Sequence, residues 1–336
     1  MTALARLLAS ENNTSDLLAY LIELDATPLV AVLGLPPGTY AASREVRTGG
    51  RRSRLDLVVH REGSREPVAV LEVKGAAGEH GDQLARYAEW APSAKLFYCT
   101  LDGTATAAPA PWQPLSLVAL FGAWHGSSHV YAAWLADEIA GVLGPWNQEA
   151  DGVIGASTGP YVANLVTRRT AAEVGGVAGS TTPGMPMLVV FRPHPGGGAD
   201  ARIGVDVRCN NLNNPAESWL FRPFVQVGTW ADPTPAAKLA VQPLAAALQD
   251  ALTWPAIRQV VTDPGVLNPG GNDGLRNPPG GTQPVFYDDR GVRLATQFKV
   301  DVTRVTRFDL AAMITAVLDH LEAATTVGVP AVTTGE

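Results

Sequence analysis

A chain of 336 residues that is 46% hydrophobic and 17% charged can bury a substantial core, which argues against a disordered protein. No apolar run approaches membrane-spanning length, and Cys99 and Cys209, the only cysteines, exclude a disulfide framework and a cysteine-rich zinc site. The net charge of −7 gives no overall attraction to phosphate, so a nucleic-acid partner would need a local basic cluster.

The N-terminal stretch lacks a basic region followed by an apolar segment and a cleavage site, and the expected location is the cytoplasm. Residues 2–24 read as helical, with leucines at three- and four-residue intervals and Thr14 or Ser15 available to cap a second helix. "GLPPGTY" at 34–40 is a turn. Strands are expected at 54–60 (RLDLVVH) and 68–74 (VAVLEVK), joined by a polar connection into an antiparallel hairpin. A helix over 80–91, a strand over 94–100 and a helix over about 128–143 follow. From 145 to 186 the chain is rich in Gly, Thr and Pro, which marks a domain boundary or surface excursion. Strands are expected at 187–192, 202–208 and 219–229, and a helix near 236–252. A long loop over 263–284, strand material at 292–307, a helix at 309–323 and a frayed tail complete the pattern. The domains expected are thus 1–145 and 146–336, the second an α+β unit of unassigned role.

The polar residues inside the two first-half strands carry the chemistry. Residues two apart on a strand share a face, so Glu72 and Lys74 project together, and Asp56 joins them if the strands pair. Neighbouring carboxylates are costly to desolvate unless a cation neutralises them. A hard divalent ion such as Mg²⁺ takes one carboxylate from each strand and leaves room for water and phosphate. Lys74 would then orient or deprotonate the attacking water, or stabilise charge on the phosphate. Taken alone, Glu72 and Lys74 also fit an ion pair on a solvated edge strand.

Asp56, the Glu72-Val73-Lys74 triplet and the Gln83-x-x-x-Tyr87 pair in "DQLARY" together resemble the PD-(D/E)xK nuclease superfamily, and its RecB-like members in particular. The resemblance covers roughly residues 5–125, and Leu55 stands where the family's proline would be. It implies an α/β restriction-endonuclease-like core, a central mixed sheet flanked by helices. It also implies Mg²⁺-dependent (or Mn²⁺-dependent) hydrolysis of DNA in restriction, anti-phage defence or repair. Asp56 and Glu72 would be metal ligands and Lys74 the catalytic amine, with Gln83 and Tyr87 supporting them. Upstream, "SENNTSDLLAYLIEL" looks like the first helix of several bacterial families, in which a glutamate, here Glu11, reaches the metal site; a helix-surface carboxylate is the bland reading. Two-fold homodimers are common among such nucleases. RNA as substrate, and an inactive binding or scaffold protein that kept the fold, are the alternatives.

Arg44, Arg47, Arg51, Arg52 and Arg54 form the densest basic cluster, placed just before Asp56; it fits either phosphate contact or a solvated loop. His125 and His129 have helical spacing, but Gly and Ser between them favour a turn over a metal site. The glycine-rich segments contain no P-loop. In the second half, Arg202, Arg208, Arg222, Arg304 and Arg307 are expected in salt bridges more than on a nucleic-acid surface.

Overall fold

The computed structural model describes residues 2–48, 54–75, 83–104, 110–157, 161–181, 185–209, 219–229, 232–269, the backbone of 287–289, and 292–327. The chain forms two compact units. The first comprises residues 1–152, 156–169 and 179–186; the second comprises 153–155, 170–178 and 187–336. The division is not one cut, because residues 146–186 are shared between the units.

In the first unit, helices α1 (Ala3–Leu8) and α2 (Glu11–Leu24) occupy the span expected to be helical. Ser10 caps α2, its side chain accepting from the Asn13 N–H. Thr14 and Ser15 are instead buried within the helix, bonding back to the carbonyls of Ser10 and Glu11. Helix α3 (Thr27–Leu33) ends at Gly34, whose φ of 58° lies in the left-handed region that glycine adopts without strain. Lys95 donates to the carbonyls of Leu33 and Gly34 there, satisfying the helix end.

Five strands form a mixed sheet in the order β1 (Tyr40–Arg47), β2 (Arg54–Arg61), β3 (Pro67–Val73), β4 (Lys95–Thr100), β5 (Gln113–Ser116). β1, β2 and β3 are antiparallel, and β3, β4 and β5 are parallel. The expected hairpin is present, with Leu57 opposite Leu71 and Val58 opposite Val70. Helix α4 (Gln83–Trp90) makes the crossover from β3 to β4 that a parallel pair requires. β1 did not emerge from the apolar pattern because "YAASREVR" is charged and mostly half-buried, as suits an edge strand. β3 and β4 are buried almost throughout, as expected for inner strands covered on both faces.

Leu84 and Tyr87 of α4 pack with Val58, Val70, Leu96, Tyr98 and Trp112. α2 packs against β1, β2 and β3. Helices α5 (Leu117–Gly122) and α6 (Val130–Glu149) follow; α6 is longer than expected and continues through Pro145. The segment 145–186 is more than a surface excursion. It holds α7 (Val162–Val174), whose residues 162–168 are all buried. Its glycine- and threonine-rich flanks mask a helical pattern in which polar residues such as Asn164, Thr167 and Arg168 are buried along with apolar ones.

The second unit is built on an antiparallel sheet. Strands β6 (Val177–Ser180, its last two residues assigned to the first unit), β7 (Pro186–Pro193, likewise for Pro186), β8 (Ala201–Cys209) and β9 (Trp219–Val227) are followed by helices α8 (Pro235–Ala247) and α9 (Trp254–Val260). Then come short strands β10 (Leu267–Pro269), β11 (Tyr287–Asp289), β12 (Arg293–Ala295) and β13 (Phe298–Val300), and helix α10 (Arg307–Val327). The path runs β10-β13-β9-β8-β7-β6, with β12 also pairing β9. Strand β10 lies within the stretch read as loop, pairing through Asn268 and Lys299, and the strand material near 292 is two short strands broken at Thr296–Gln297. β9 is buried along its whole length, with α8 packed on it and α10 on β8.

Asp206 is fully buried and accepts from Arg208 at 2.8 Å, Arg222 at 2.9 Å and Arg293 at 2.9 Å. Arg304 and Arg307 pair with Asp263 and Glu173, and Arg202 lies over the Phe191 ring. The arginines of this half thus serve its own packing and ion pairing. Among the described residues, no helix is long and apolar enough to cross a membrane.

Candidate active site

The residues singled out on β2, β3 and α4 come together. Extending the β2–β3 register by one step from Leu57–Leu71 sets Asp56 opposite Glu72. Glu72 shares a strand face with Val70, which packs on α4, and Gln83 in the first turn of that helix donates to Glu72 Oε1 at 3.0 Å. Lys74 Nζ meets the same oxygen at 2.8 Å. Gln83 also donates to the Tyr87 hydroxyl, which donates onward to the Arg54 carbonyl on β2. One turn of helix thereby ties the carboxylate of β3 to the backbone just ahead of Asp56. Asp56 Oδ2 accepts the Val73 N–H at 2.8 Å. Glu11, the first residue of α2, accepts the Gly75 N–H at 2.7 Å, bringing a third carboxylate to the end of β3.

Each of the two central carboxylates therefore spends one oxygen on positioning. Glu72 Oε2 is buried and has no hydrogen-bond partner among the described residues. An unsatisfied buried carboxylate oxygen is costly, and metal sites are one place where such atoms occur. Burial pushes the Glu72 carboxyl up to about 7; the Lys74 ammonium opposes this, while Asp56 and Glu11 add to it. Burial likewise raises Asp56 to about 6, against the pull of Lys74. Burial alone would lower Lys74, but Glu72, Glu11 and Asp56 more than offset it and hold the side chain as an ammonium.

This donor set suits a hard divalent cation. Mg²⁺ asks for one or two carboxylate oxygens and keeps its other positions for water and phosphate. Among the described residues, no group of three or more His, Cys, Asp and Glu side chains is arranged to enclose a metal ion. Lys74 holds one Glu72 oxygen, and Glu11 accepts from the Gly75 amide. A site here would hold its ion by two carboxylates, Asp56 and Glu72, rather than by a closed protein cage.

Sequence reading missed α7, which braces this site. Asn164 Nδ2 donates to the Gly75 carbonyl at 2.6 Å. Both peptide groups of Gly75 are thus pinned, the N–H by Glu11 and the carbonyl by Asn164. The Tyr161 ring lies so close that a Cβ on Gly75 would fall 1.7 Å from its Cε1. The Tyr161 hydroxyl in turn donates to the Leu8 carbonyl and contacts Thr14 Oγ1, tying in the α1–α2 junction that presents Glu11. Tyr161, Asn164 and Arg168 sit at i, i+3 and i+7, one face of a helix. That polar stripe in "YVANLVTR" was the available signal.

Three members of the basic cluster fall among the described residues. Arg44 is held by Asp16, the Asp56 carbonyl and the Asn12 carbonyl, so it braces β2 from β1. Arg54 pairs with Glu45, Arg47 is exposed, and Arg51 and Arg52 lie outside the described residues. His129 caps α6 by accepting from Ala132, and His125 pairs with Asp137, in keeping with the turn reading of that segment. No family model matches the chain, and no curated protein or solved structure matches it either.

Proposed function

We propose that the chain is a metal-dependent nuclease that hydrolyses DNA phosphodiester bonds, with a restriction-endonuclease-like core in its first unit. The supporting observation is the buried Glu72 carboxylate, opposite Asp56, with one oxygen fixed by Lys74 and Gln83 and the other without a partner among the described residues. Asp56 and Glu72 would hold Mg²⁺ (or Mn²⁺), which when bound supplies a polarised water and neutralises phosphate charge. Lys74, kept cationic by three carboxylates, donates hydrogen bonds to the phosphate as negative charge develops on it. Gln83 and Tyr87 orient the Glu72 head group, and Glu11 fixes the strand end behind Lys74.

The test is cleavage of labelled linear, circular and single-stranded DNA, and of RNA, in Mg²⁺, Mn²⁺ or EDTA. Wild type is compared with Asp56→Ala, Glu72→Ala and Lys74→Ala. Metal-dependent cleavage lost in all three variants supports the proposal. Cleavage that persists in EDTA, or survives Lys74→Ala unchanged, overturns the mechanism. RNA as the sole substrate corrects the substrate class, and absence of cleavage with retained nucleic-acid binding points to an inactive binding protein.

A further inference from the structure

Two consecutive arginines on α7 are treated very differently by the fold. Arg169 is fully committed: it pairs with Asp102 at 2.8 Å and Asp151 at 3.1 Å, and bonds twice to Asn147. Arg168 is more deeply buried, at 6% exposure, yet no carboxylate among the described residues pairs with it. Its partner is Tyr98: the guanidinium donates to the hydroxyl at 3.3 Å and lies 5.8 Å from the ring centroid. A phenol does not neutralise a guanidinium, and a buried charge without a counter-charge is costly.

Its position is equally specific. Asn164, one helical turn earlier on the same face, holds the Gly75 carbonyl immediately after Lys74. Tyr98 is the β4 residue in register with Glu72, so the two side chains stand on the same face of adjacent strands. Arg168 therefore meets the outer end of a side chain whose base stands beside Glu72 on the same face of the sheet.

We propose that Arg168 is a phosphate-binding residue of the candidate active site, its charge completed by an anionic phosphate group of the bound substrate. The inference rests on the nuclease reading for the identity of that phosphate, but not for the existence of an anion site. A guanidinium offers planar paired donors that match phosphate oxygens, which Lys74, a point charge, does not.

The experiment compares wild type with Arg168→Met, and with Arg168→Gln as a second neutral variant should the first not fold. The probe is inorganic phosphate with Mg²⁺, titrated against chloride at matched ionic strength, with thermal stabilisation as readout. Wild type should be stabilised by phosphate, and the folded neutral variant should require about tenfold or more phosphate for the same response. An Arg168→Lys variant should recover part of that loss. A phosphate response absent from wild type, or equal in wild type and the neutral variant, overturns the proposal. DNA cleavage by wild type tests the nuclease reading separately. Cleavage with an unchanged phosphate response in the variant defeats only the Arg168 assignment. No cleavage, with the response lost in the variant, defeats only the nuclease reading.

Discussion

Gly75→Ala is the most direct test of how the site is held. A Cβ at this position would meet Tyr161 at 1.7 Å from Cε1, 2.5 Å from Cδ1 and 2.6 Å from Cζ. Ordinary carbon contacts are about 3.5–4 Å, so ring and strand must separate by roughly 2 Å. The ring has little room to yield. It is 1% exposed, its hydroxyl is bonded to the Leu8 carbonyl, and it packs edge-on against Trp146 with centroids 5.6 Å apart. Overpacking of this kind costs about 1–3 kcal/mol, and a broken hydroxyl bond adds about 1 kcal/mol, which gives about 3 kcal/mol in total. At roughly 2–4 °C per kcal/mol for a domain of ordinary size, the melting temperature of the first unit should fall by about 6–12 °C.

A double-mutant cycle by chemical denaturation separates this cause from others. Tyr161→Ala alone leaves a cavity and costs about 3–5 kcal/mol. In that background Gly75→Ala should add less than about 0.5 kcal/mol, because the clash is gone, so the coupling energy is on the order of 2–3 kcal/mol. Equal costs of Gly75→Ala in both backgrounds would refute the reasoning, as would a single mutant that melts with wild type. Since the peptide groups of Gly75 are held by Glu11 and Asn164, any shift that relieves the clash also moves Lys74. Loss of cleavage should therefore accompany loss of stability.

Other consequences follow from the charges. The carboxyls of Asp56 and Glu72 lie at about 6 and about 7 in the folded chain, above their ordinary values. The folded state thus binds more protons than the unfolded one between about pH 4 and 7, and their contribution is full below that window and lost as pH rises through it. Without metal, wild type should lose a few kcal/mol across this range relative to Asp56→Asn/Glu72→Gln, and Mg²⁺ at pH 7 should restore it; parallel pH profiles in denaturation would contradict this. Lys74→Met removes the cation from the buried Glu72 carboxylate, and should destabilise by about 3–5 kcal/mol at pH 8 and by less at pH 5, where Glu72 is protonated; a pH-independent cost would count against the pairing. In the second unit, Asp206→Asn withdraws charge from Arg208, Arg222 and Arg293 together and should cost about 3–5 kcal/mol; a cost under about 1 kcal/mol in urea denaturation would show that these arginines do not depend on it.

What could be read beforehand was local. The Asp56–Glu72–Lys74 face follows from the two-residue period of strands joined by one hairpin, and Gln83 and Tyr87 follow from helical spacing just downstream. Each of those inferences spans fewer than about 20 residues, over which geometry alone fixes which side chains meet. The bracing of the site is not of that kind. Asn164 meets Gly75 across 89 positions, and Tyr161 meets Leu8 across 153. Neither pairing leaves a trace in periodicity, and composition argued against α7 because glycine and threonine surround it. For the Arg44 cluster, closeness in sequence left its use open: Arg44 lies on the edge strand β1 and is taken up by Asp16 and two carbonyls, while Arg54 on β2 pairs with Glu45.

The same contrast bears on how the site is to be understood. A strand carrying Glu72 and Lys74 with nothing behind it would be a mobile ion pair, free to relax until both oxygens were satisfied. Here the strand end is fixed at both peptide groups of Gly75, and the Glu72 head group is fixed by Lys74 and Gln83 through a single oxygen. The second oxygen is buried and has no hydrogen-bond partner among the described residues. A buried group kept unsatisfied by so many independent contacts is the physical argument for a ligand at this point, and it stands on α7 as much as on the motif.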